Sequence, residues 1–76
     1  MKDLEIKILE KLNEGQLRQA KDIDLDEDAL IKVMIDLEKK GIIYGTIFVK
    51  DKEGRIVVAN TNRAHLTAKG KSIIEE

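Results

Sequence analysis

Between Asp26 and Gly41 the chain carries the pattern that most restricts its fold. Leu30, Val33, Met34 and Leu37 fall at i, i+3, i+4 and i+7, the spacing that lines apolar side chains along one stripe of an α-helix and requires a core beneath them. Asp26 stands where an N-cap belongs, and Glu27 and Asp28 follow in the first turn, where the helix dipole favours negative charge. Lys39 and Lys40 precede Gly41, a basic last turn with a glycine stop. A long amphipathic helix is therefore fixed at both ends by local chemistry.

The segments on either side extend that reading. Asp3 is a suitable N-cap for a first helix with Leu4, Ile8, Leu9 and Leu12 on one stripe, closed at Gly15. Gln16 to Lys21 has room for one or two helical turns with Leu17 and Ala20 inward, and Ile23 and Leu25 anchor the turn into the long helix. Helix, turn, long helix and glycine is the helix-turn-helix order. Two β-prone runs follow, Ile42 to Lys50 and Arg55 to Ala59, joined by Asp51-Lys52-Glu53-Gly54. They read as a hairpin with a type I turn and Gly54 at positive φ. Thr67 is placed to cap a closing helix over Ala68 to Glu75 that offers Ile73 and Ile74 to the core. Gly70 inside so short a helix costs roughly 1 kcal/mol relative to Ala and points to a close backbone neighbour. The expected architecture is an α+β winged helix-turn-helix in one domain over residues 1–76, with a short additional strand near Arg18.

A chain of 76 residues has room for one hydrophobic core, and its apolar share of 42%, almost wholly aliphatic, is enough to form it. It has no cysteine, which excludes disulfides and thiolate metal sites and suits a reducing compartment. No apolar run reaches the length of a signal-peptide core or a membrane span, so a cytoplasmic protein with no membrane association is expected.

The run Lys21-Asp22-Ile23, then Asp26-Glu27-Asp28, then Leu37-Glu38-Lys39-Lys40-Gly41-Ile42-Ile43-Tyr44-Gly45, closing on Leu66-Thr67-Ala68-Lys69-Gly70, resembles the YjcQ-like family, small winged-helix proteins of bacteria and their phages. The likeness spans roughly residues 16 to 75. The Leu-Glu-Lys-Lys-Gly helix end is common among winged helices, and its combination with the Leu-Thr-x-Lys-Gly close is the more specific part. The resemblance implies the fold, and it brings no catalytic residue with it.

The chemistry of the side chains argues against catalysis. His65 is the single histidine and has no second histidine or cysteine to form a metal site or triad, and Ser72 and Thr67 have no evident base. Gly41, Gly45, Gly54 and Gly70 are too scattered for a phosphate-binding loop. Asp22, Asp24, Asp26, Glu27 and Asp28 crowd five carboxylates into seven residues, yet a calcium loop beginning at Asp22 would need Gly and Glu where Glu27 and Val33 stand. No enzyme, metal, cofactor or small-molecule substrate is expected.

Two kinds of partner remain. The net charge of −1 conceals an asymmetry: residues 1–40 carry a net −3 and residues 41–76 a net +2. Double-stranded DNA is one candidate, held at its phosphates by Lys50, Lys52, Arg55, Arg63 and Lys69, with Lys71, Asn60 and Asn62 nearby. Insertion of the long helix into the major groove is disfavoured, because Asp26, Glu27 and Asp28 would meet phosphates there. Its outward residues Asp28, Lys32, Ile35, Asp36 and Lys39 carry no net positive charge. The other candidate is a protein partner or a second copy of the chain. Ile31 and Ile35 lie off the core stripe and either pack beneath the wing or form an exposed patch that Ile6, also off its own helix's stripe, could join.

Overall fold

The computed structural model describes residues 3–15, 17 and 20–75. It is an α+β fold of three α-helices and two small antiparallel sheets. Helix α1 (Asp3–Asn13) buries Ile8, Leu9 and Leu12. Asp3 is its first helical residue, so its charge meets the helix dipole from inside the first turn instead of capping from outside. Glu14 N–H donates to Glu10 O, Gly15 N–H donates to Leu12 O, and Gly15 at φ 70° ends the helix.

A single 3₁₀ turn (Ala20–Ile23) buries Ala20 and Ile23. The remainder of the helical stretch expected over Gln16 to Lys21, and the strand expected near Arg18, fall largely outside the described residues. Leu17, which is described, is buried as expected. Asp24 takes φ 56°, a left-handed conformation that Asp tolerates better than most residues. Leu25 N–H then reaches back to Ala20 O and Asp24 N–H to Lys21 O.

Helix α2 (Glu27–Lys39) begins where its cap was placed: the Asp26 carboxylate accepts from Ala29 N–H at 2.7 Å. It ends in a Schellman closure, with Ile42 N–H on Leu37 O, Gly41 N–H on Glu38 O, and Gly41 at φ 72°. Leu30, Met34 and Leu37 are fully covered and Val33 is partly covered.

The strand expected over Ile42 to Lys50 is split in two. Strand β1 (Ile43–Tyr44) is separated from β2 (Ile47–Lys50) by Gly45 and Thr46. Gly45 has φ 91°, and a Cβ there would overlap the carbonyl oxygen of Arg63. Two backbones cross at this point, and only glycine permits both the angle and the approach. Beyond it, β2 pairs with β3 (Ile56–Asn60), Val49 opposite Val58 and Phe48 opposite Ala59, with a bulge that leaves Val57 over. β1 pairs instead with β4 (His65–Leu66), Ile43 opposite Leu66 and Tyr44 opposite His65.

Helix α3 (Ala68–Glu75) closes the fold through Thr67, whose Oγ1 accepts from Gly70 N–H and donates to Gly41 O at 2.6 Å. The close neighbour expected at Gly70 is the Ile42 carbonyl, which a Cβ would overlap. One core of aliphatic side chains from α1, the 3₁₀ turn, α2, β1, β3 and β4 results.

Candidate interaction surfaces

The hairpin β2–β3 lies against α2 and is held there by Glu27, whose carboxylate accepts Ala59 N–H at 3.0 Å. This contact covers the flank of α2 on which Ile31 stands, so Ile31 is a core residue with 6% of its surface exposed. Ile35 is partly buried against the same core. Ile31 and Ile35 therefore form no exposed patch: Ile31 is in the core and Ile35 packs against it. Ile6 is partly buried on α1, beside a hollow lined otherwise by Asp3, Lys7, Glu10, Lys11 and Glu14, so charged side chains surround it.

The five expected phosphate contacts are divided among three places. Lys50, Lys52 and Arg55 stand at the hairpin tip and are exposed. Arg63 is exposed in the turn between β3 and β4, separated from the tip by the length of β3, roughly 13 Å of strand. Lys69 donates from Nζ to Lys40 O at 3.0 Å, where its charge meets the negative end of the α2 dipole. The tip itself is nearly balanced. Asp51 organises the turn by accepting from the backbone N–H of Glu53 and Arg55, and it also takes Arg55 Nε at 3.2 Å. Glu53 pairs with the other end of that guanidinium at 3.2 Å.

The outer face of the hairpin is apolar. Ile47, Val49 and Val58 project from the side opposite Phe48 and Ala59, with exposures of 49%, 45% and 41%, and the bulged Val57 adds another aliphatic at 44%. Val49 and Val58 are direct cross-strand neighbours. On this face the sequence reading missed a surface whose signal was available. Ile47-Phe48-Val49 and Ile56-Val57-Val58 are unbroken apolar runs, whereas a strand with one solvated face alternates, and continuous runs belong to strands covered on both faces. β2 has β3 as its only strand partner among the described residues, so its other edge is open.

Several of the remaining candidates have structural roles. Asp26 and Glu27 of the acidic cluster are used in capping and in holding the hairpin, and no group of three or more metal-ligating side chains gathers among the described residues. The Ser72 hydroxyl donates to Ala68 O within its own helix. Among the described residues no helix is long and apolar enough to cross a membrane. Comparison with protein-family models, with curated proteins and with solved structures gives no match.

Proposed function

We propose that this chain is a winged-helix module that works by protein contact, self-associating through the outer face of its hairpin, and that it is not an enzyme. The exposed Ile47, Val49 and Val58 carry this reading. A two-stranded hairpin that leaves β-branched side chains uncovered on one face and a strand edge unpaired is a template for another strand or sheet. A second copy offers the same surface, and an isologous pairing across a two-fold axis would cover both at once. The winged-helix assignment is supported by the order of elements, with the Asp26-capped α2 following the 3₁₀ turn and the hairpin following α2. The likeness of its helix end and Leu66-to-Gly70 close to the YjcQ-like family points the same way.

The test is a dilution series of isotopically labelled protein followed by amide chemical shifts. Self-association predicts concentration-dependent shifts confined to Ile47–Lys50 and Ile56–Asn60. Shifts that stay constant up to the highest attainable concentration overturn it.

A wing-led contact with DNA is the second reading, favoured by the exposed Lys50 and Lys52, for which the described residues offer no ion pair. It predicts affinity for duplex DNA that falls with salt at a log–log slope near −0.9 per phosphate contact. The acidic start of α2 and the Arg55 pairs at the tip weigh against it.

A further inference from the structure

At the end of the molecule built from the α1 C-terminus and the β1–β4 ladder, two aromatic rings stand side by side. Tyr44 and His65 are directly opposite on the ladder, their ring centroids 5.6 Å apart and their planes inclined by 43°. Both are exposed, Tyr44 by 54%, although each is large enough to serve a core of this size. Beside them is a notch of about 280 Å³ lined by Leu12, Asn13, Tyr44, His65, Leu66 and Lys71. Leu12 and Leu66, each only 6% exposed, lie beneath it, and most of the surface it presents is polar. Asn13 is exposed and brings an amide that both donates and accepts. Lys71 is the one cation in the lining, and no ion pair holds it among the described residues.

We propose that this notch binds a nucleotide, its base stacked on the Tyr44–His65 pair and its phosphate beside Lys71. The site is independent of the hairpin face and does not rest on the proposed self-association. Each component answers to one part of that ligand. An exposed ring pair offers a π-face to a flat heterocycle, and stacking of this kind accepts any base. The amide of Asn13 suits the mixed donors and acceptors of a base edge, and the Lys71 ammonium suits an anion. The volume of the notch is just below the roughly 300–1,000 Å³ of sites for drug-sized ligands. The same chemistry is offered by a free mononucleotide or by an unpaired position in a strand.

The experiment is a titration of the labelled full chain with AMP and, separately, with a hexadeoxyadenylate, observing the Tyr44 and His65 ring protons. Stacking predicts upfield ring-current shifts at both residues. Saturation by AMP assigns the site to a free nucleotide, and saturation by the hexamer alone assigns it to a strand. Tyr44→Ala should weaken binding by roughly 5- to 150-fold, while Tyr44→Phe retains it. Lys71→Gln should weaken AMP binding but leave adenosine binding unchanged. The exposure of both residues keeps these variants folded, which their amide spectra would verify. The proposal is overturned if neither probe shifts the rings at about millimolar concentration, or if the shifts survive Tyr44→Ala.

Discussion

Gly45 and Gly70 are the positions at which a single methyl group has the largest consequence for this fold. Each lies where a Cβ would overlap a backbone carbonyl, of Arg63 and Ile42 respectively, and a carbonyl in a packed chain cannot rotate away as a long side chain can. At Gly45 the left-handed φ of 91° adds conformational strain. Gly45→Ala and Gly70→Ala are therefore each expected to destabilise the fold by roughly 1–3 kcal/mol, despite alanine's better intrinsic propensity in a helix. Gly41, whose surroundings leave open space for a Cβ, should lose less on the same substitution, with φ strain as its only penalty. Urea denaturation of the three variants checks this order. The close approach at Gly70 was legible in the sequence, because glycine inside a short helix is unfavourable without a neighbour to require it. The crossing at Gly45 was not, since the carbonyl that forbids a side chain there belongs to Arg63, eighteen residues later, and nothing local marks that meeting.

At the scale of elements, helix ends are where the side chains of this protein contribute most visibly. Thr67 joins two elements with one hydroxyl, accepting Gly70 N–H at the start of α3 and donating to Gly41 O beyond the end of α2. Thr67→Val keeps the shape and removes both bonds, and should lower stability by about 1–2 kcal/mol. Ser72→Ala, which removes only a bond within α3, should be nearly neutral, and thermal melts distinguish the two. The Asp36–Lys40 pair at 2.9 Å near the end of α2 is different in kind. The hydrogen bond that Lys40 Nζ donates to the Asp36 carboxylate, followed by the charge of that carboxylate, holds the Lys40 ammonium above its usual pKa. A raised pKa places whatever stability the pair confers below the ordinary lysine range, with loss only as pH rises through the raised value. Because both groups are exposed to solvent, Asp36→Asn should leave the melting temperature at pH 7 almost unchanged. The cap of α2, its stripe and the turns were readable in the sequence because they are short-range: Asp26, Gly41 and Gly54 act within six residues, as does Thr67 in capping α3, whereas its bond to Gly41 O spans 26 residues and was not readable. The burial of Ile31 was left open for the opposite reason. On a helical wheel it lies off the stripe, and it enters the core only because β3, some 28 residues on, packs against α2 and is fastened there by Glu27.

For the whole molecule, the distribution of covered and uncovered aliphatic surface is the guide to function. α1, α2 and α3 direct their apolar faces into one core, and the inner face of the hairpin joins them. The outer face of the hairpin has no such partner, while the cations expected to meet phosphates are dispersed between the tip, the β3–β4 turn and the end of α2. Of the candidate residues named from sequence, the structure gathers Lys50, Lys52 and Arg55 at one site, removes Ile31 from the surface, and brings forward Ile47, Val49, Val57 and Val58 in its place. Contact through this face should be insensitive to moderate salt, because it buries aliphatic groups and few charges.

Sedimentation equilibrium of the wild-type chain and of Val49→Lys, at matched concentrations and two salt concentrations, decides whether the outer face of the hairpin joins two copies of the chain. Val49 is nearly half exposed, so lysine there leaves the monomer fold intact while placing a charge in the middle of the proposed contact. Self-association through the hairpin gives a reversible dimer for the wild type at both salt concentrations and a monomer for Val49→Lys. A wild type that remains monomeric throughout, or a Val49→Lys variant that associates as strongly as the wild type, would contradict it.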